Sequence, residues 1–142
     1  MSIELSFVEG EKQLGRYTVS LLQNTDVGWL PSVLQLDATI TNYRLLLRPF
    51  RRKYQPASIP QHYLKDVHMT QFAGHHVIQL DFKPSGAIYL VMSSGKLDNL
   101  YEDLLAMKAP IPKFSWDANV ARNDIQRLIN YFGRDALADS VK

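Results

Sequence analysis

The stretch LQLDATITNYRLLLRPF, Leu34 to Phe50, decides the fold. On its N-terminal side Leu34, Leu36, Ala38 and Ile40 alternate with Gln35, Asp37, Thr39 and Thr41. A period of two is the mark of a strand with one buried face. Past Asn42-Tyr43 the apolar set moves to odd positions, Tyr43, Leu45 and Leu47. A two-residue turn at 42–43 pairs Thr41 with Arg44, Ile40 with Leu45 and Ala38 with Leu47, which brings both apolar sets to one face, as strand register demands.

Working outward, Ile3 to Phe7 alternates as a short strand, and Tyr17 to Leu22 places Tyr17, Val19 and Leu21 on one side. Asn24 to Pro31 reads as a loop with turn residues Asp26 and Gly28, and Trp29 as a lid over one end of the core. Pro49 ends the central hairpin, and 51–58 (RRKYQPAS) reads as an exposed loop. A further extended segment opens at Ile59-Pro60, with Tyr63, Val67 and Met69 on one side, and breaks at Gly74. Val77 to Phe82 is a strand joined by Pro84-Ser85-Gly86 to the next, with Gly86 in the left-handed position. Pairing Lys83 with Ala87 sets Phe82 beside Ile88, Leu80 beside Leu90 and Ile78 beside Met92.

The period then changes. Leu97, Leu100, Tyr101, Leu104 and Leu105 form one face of a helix over 97–108. Pro110 and Pro112 stop it, and a second helix from about Asp117 or Ala118 carries Ala121, Ile125, Leu128, Ile129 and Phe132 as its stripe, with Gly133 as its stop. The expected class is mainly β (α+β): an antiparallel sheet bent into a barrel or sandwich, capped by the first helix, over residues 1–109. A helical extension over 110–142 packs on that body or on a partner.

Composition sets the bounds on function. One domain is the prior for 142 residues, and a hydrophobic content of 46% is ample for one core. Sixteen Lys and Arg against fourteen Asp and Glu leave a net charge of +2, too little to imply nucleic acid by itself. There are no cysteines, so disulfides, thiolate chemistry and Cys-ligated zinc are excluded. No apolar run has the length of a membrane span, and the acidic start (Glu4, Glu9, Glu11) is unlike a signal peptide. The expected location is the cytoplasm.

Thr41-Asn42-Tyr43-Arg44-Leu45-Leu46-Leu47 at the turn of a hairpin resembles the signature of GRAM domains and bacterial PH-like domains. Ser58-Ile59-Pro60 and Leu64-Lys65-Asp66-Val67 are similar to the segment that follows it there. The resemblance covers roughly residues 17–108 and departs from the family at Leu36-Asp37, where a Gly is usual, and at the 118–132 helix. It implies a pleckstrin-homology superfold and a binding module for phosphoinositides, other anionic lipids or a protein.

Arg44, Arg48, Arg51, Arg52 and Lys53 put five cations in ten residues, with no acid between Asp37 and Asp66. Such a cluster would hold a phosphorylated headgroup by charge-assisted hydrogen bonds, with Phe50 and Tyr54 dipping into the interface. The lipid-binding candidates are therefore Arg44, Arg48, Arg51, Arg52, Lys53 and Tyr54. The alternative is a protein-interaction or oligomerisation module that uses a sheet edge or the helix face Ile125, Leu128, Ile129 and Phe132. Histidines 62, 68, 75 and 76 lack ligand spacing, so no metal site is expected. Asp37, Asp66 and Asp81 read as isolated acids. No nucleophile motif or phosphate-cradling loop is present, so neither catalysis nor a cofactor is expected.

Overall fold

The computed structural model describes residues 7–50, 56–83, 85–92, 95–107 and 118–131. Seven strands form one sheet: β1 (Gln13–Thr25), β2 (Gly28–Thr41), β3 (Arg44–Pro49), β4 (Ala57–Pro60), β5 (Leu64–Phe72), β6 (His75–Phe82) and β7 (Ala87–Val91). A 3-10 turn, Gln61–Tyr63, separates β4 from β5, and helices α1 (Leu97–Met107) and α2 (Ala118–Tyr131) follow. The spatial order is β4-β3-β2-β1-β7-β6-β5, antiparallel throughout.

The central hairpin forms in the register its alternation dictates, with Ile40 opposite Leu45 and Ala38 opposite Leu47. All four are buried, and Leu36 joins them on the same face. Two expectations are corrected. Residues 24–31 are not a loop: β1 runs to Thr25 and β2 begins at Gly28. A tight turn suffices because the Thr25 hydroxyl donates to the Gly28 carbonyl at 2.7 Å and Gly28 takes φ +114°, where a side chain would be strained. The second correction is a register. Leu80 faces Ile88 and Ile78 faces Leu90, two residues from the expected pairing. Lys83 N donates to Tyr63 O instead, and Phe82 N closes the turn on Gly86 O. A shift of two preserves side-chain parity, so the inward set is unchanged.

The β1–β2 register shifts between Ser20 and Leu22, where β1 meets β7 through Ser20 with Val91 and Leu21 with Leu90. Around this junction one core gathers residues from all seven strands and both helices. Leu100, Leu104 and Met107 of α1 are fully buried, which is worth about 1.5–3 kcal/mol for each side chain. Helix α1 packs on β1 and β2 and also on β5 and β6, spanning the two halves of the sheet. Leu105, expected on its apolar face, is exposed. On the opposite face of the sheet a smaller cluster of Leu22, Val77, Ala87 and Tyr89 is covered by Trp29 and Phe72. Trp29 meets both the Phe72 and Tyr89 rings edge-on. The lid role holds, on this second cluster rather than the main one.

The expected bending into a barrel or sandwich is corrected too: β4 and β5 are free ends of one open sheet, and among the described residues no ladder joins them. Helix α2 lies along β4. Asp124 accepts from Ser58 N at 3.0 Å, and Arg127 donates to Pro56 O at 2.8 Å. Those side chains occupy edge groups that would otherwise invite pairing with another chain.

Candidate functional site

Arg44 is the first of the expected anion-binding cations, and the structure spends it on the fold. Its side chain is 6% exposed and meets a fully buried Glu11. Nε donates to Oε2 at 2.8 Å and Nη2 to Oε1 at 3.1 Å, the two-pronged geometry that makes Arg–carboxylate pairs strong. Nη1 donates to Ser58 Oγ at 3.0 Å, and the Thr41 hydroxyl donates to Glu11 Oε2 at 2.7 Å. Burial alone would raise the Glu11 pKa. Hydrogen bonds from Arg44, Thr41 and Val8 N more than offset it, and the carboxyl sits below its ordinary value.

The rest of the TNYR turn serves the same purpose. Asn42 accepts from Lys12 N at 2.7 Å and donates to Gly10 O at 3.1 Å. Tyr43 is buried and its hydroxyl donates to Glu9 O at 3.2 Å. The four residues together clasp the segment 8–12 that leads into β1. Arg44 is therefore withdrawn from any surface site.

Arg48 lies in β3 with its side chain 40% exposed. Its Nη2 is 3.4 Å from Asp37 Oδ2 and 3.2 Å from Thr39 Oγ1, and its Nε is buried without a hydrogen-bond partner among the described residues. Asp37 also takes Arg16, whose Nη2 stands 2.6 Å away on a side chain that is 60% exposed. Two guanidinium groups on one carboxylate leave a surplus positive charge on this face. Arg16 was invisible as a member of this group because its partner lies 21 positions away. Asp37, read from sequence as an isolated outward acid, is in fact buried.

Arg51, Arg52, Lys53 and Tyr54 lie outside the described residues. Phe50, which immediately precedes them, is 60% exposed. Strands β1, β2 and β3 form an antiparallel meander; β3 ends at Pro49 opposite Leu36, and the β1–β2 turn lies further along β2, before Gly28. At that turn Val27 is 81% exposed. Of the expected partner-binding face, Ile125, Leu128 and Ile129 are buried in the chain's own core, and Phe132 lies outside the described residues.

The structure brings together one group that sequence spacing scattered. Asp66 and Asp81 are cross-strand partners, and His68 Nε2 lies 3.2 Å from Asp81 Oδ2. No helix among the described residues is long and apolar enough to cross a membrane.

The fold and its contacts define the chain as a mainly antiparallel sheet with two packed helices. No protein-family model matches it, and no curated protein matches it. Its fold is similar to the crystal structure of the C-terminal domain of an unknown protein from Leishmania infantum, with a TM-score of 0.58 and 16% identity over 71% of this chain and 87% of that one. At that identity the likeness speaks for the fold alone.

Proposed function

We propose that the chain is a non-catalytic PH-like, GRAM-like binding module that attaches peripherally to anionic phospholipid on the cytoplasmic side. The observation that carries this reading is Phe50, a large apolar side chain 60% exposed at the end of β3 and followed at once by Arg51, Arg52 and Lys53. An aromatic ring beside several cations suits a headgroup layer: the ring enters the interface and each cation contributes about 1 kcal/mol near an anionic surface. Arg48, its side chain 40% exposed beside Asp37, adds a further cation to the sheet face. In support of the PH-like arrangement, the meander β1–β4, the return through β5–β7 and a helix directly after β7 keep the order that the resemblance requires.

The test is sedimentation with anionic and with neutral vesicles, at low and at physiological salt. Binding is expected to anionic vesicles only, weakening as salt rises, and to fall in Phe50→Ser. Equal binding to neutral vesicles, or none to either, overturns the reading. The alternative, a protein-interaction or oligomerisation module, is favoured only by the edge strand β5; a mass that grows with concentration and ignores vesicles would favour it.

A further inference from the structure

We infer that the outer face of the β5–β6 hairpin holds a divalent transition-metal site made by Asp66, His68 and Asp81, with a zinc-class ion as its ligand. This stands independently of the lipid reading. Asp66 and His68 are two residues apart on β5 and so project from the same face of the sheet. Asp81 of β6 is the direct cross-strand partner of Asp66 and diagonal to His68, whose own partner is Gln79.

One potential ligand atom from each of the three residues lies within 4.8 Å of the other two. Small rotamer adjustments would bring them to the spacing set by metal–ligand bonds of about 2.0–2.2 Å. Two carboxylates directly opposite each other on neighbouring strands repel. The β-bulge between Leu64 and Asp66 nonetheless delivers the second acid to that place. A bound cation turns the repulsion into attraction.

The donor set decides which cation. One imidazole nitrogen with two carboxylate oxygens suits Zn²⁺ and its first-row neighbours, whereas Mg²⁺ and Ca²⁺ prefer oxygen alone. Gln79 Nε2 donates to Asp81 Oδ1 at 2.8 Å, which orients the carboxylate and leaves Oδ2 toward His68. Such outer hydrogen bonds are what hold a ligating carboxylate in place. With three protein ligands, a fourth position stays open to water or to a donor from another molecule.

Isothermal titration of the untagged full chain with Zn²⁺ alone, paired with thermal unfolding, tests the site. One ion per chain and a rise in Tm are expected. Asp81→Asn keeps the Oδ1 acceptor for Gln79 and removes the charge; it should weaken Zn²⁺ binding roughly tenfold or more. His68→Ala, at an exposed strand position, should do the same, while His75→Ala should bind like the wild type. Absence of binding by the wild type, full binding by the Asp81 and His68 variants, or an equal response to Mg²⁺ would each overturn the assignment.

Discussion

Replacing Arg44 by Ala removes a cation whose partner stays behind in a place that water does not reach. The Glu11 side chain is 0% exposed and loses both prongs of its guanidinium contact, keeping among the described residues the Thr41 hydroxyl and Val8 N. Breaking one side of a buried pair costs about 3–5 kcal/mol. The two remaining donors argue for the lower end, about 3 kcal/mol, a large share of the 5–15 kcal/mol that typically holds a domain together. A drop in Tm on the order of 10 °C follows. Urea unfolding followed by circular dichroism measures the loss directly. Removing both charges, as Glu11→Gln with Arg44→Met, should cost less than Arg44→Ala alone, because no charge is then stranded. A pH series adds a sign. With its folded-state pKa below the ordinary 4.5, Glu11 contributes stability that is full above that value and lost as pH falls toward the folded-state pKa. Glu11→Gln should lack that part of the acid limb. A loss below about 1 kcal/mol in Arg44→Ala would place the pair among solvent-screened bridges and refute the clasp.

Tyr17, half-buried and donating its hydroxyl to Asp103, has its pKa pushed up to about 12 from 10.0. It should be the late tyrosine in an ultraviolet titration and titrate earlier in Asp103→Asn; its contribution to stability is full below 10.0 and lost as pH rises toward about 12. Gly15→Ala would drive a Cβ into Asp103 Oδ2, so α1 or the Tyr17 contact must yield; a loss of about 1–3 kcal/mol is expected in denaturant unfolding. Leu128→Asp introduces a charge into the core and should lower Tm by well over 5 °C, on the order expected for a buried unpaired acid. Light scattering should show its mass unchanged, since Leu128 packs within its own chain.

What could be read from the sequence was local. The register of β2 on β3 follows from alternation within one hairpin, and α1 and the buried part of the α2 stripe follow from helical spacing. Elsewhere the deciding partners were distant. Arg44 looked like a free cation because Glu11, which neutralises it, lies 33 residues earlier. Asp66 and Asp81 looked isolated until β5 paired with β6. The β6–β7 register slipped by two because Tyr63 O, from another part of the chain, took the Lys83 amide. Apolar parity did not change with that slip, so the pattern alone had no power to choose.

The central claim is that the cations divide into one that builds the fold and a run that meets a membrane. Vesicle sedimentation of the wild type beside Arg51→Glu, Arg52→Glu, Lys53→Glu tests it most directly, with unfolding curves showing that the variant keeps its stability. The account predicts that the wild type pellets with anionic vesicles and the equally stable variant stays in solution. A variant that pellets like the wild type, or a wild type that never pellets, would contradict it.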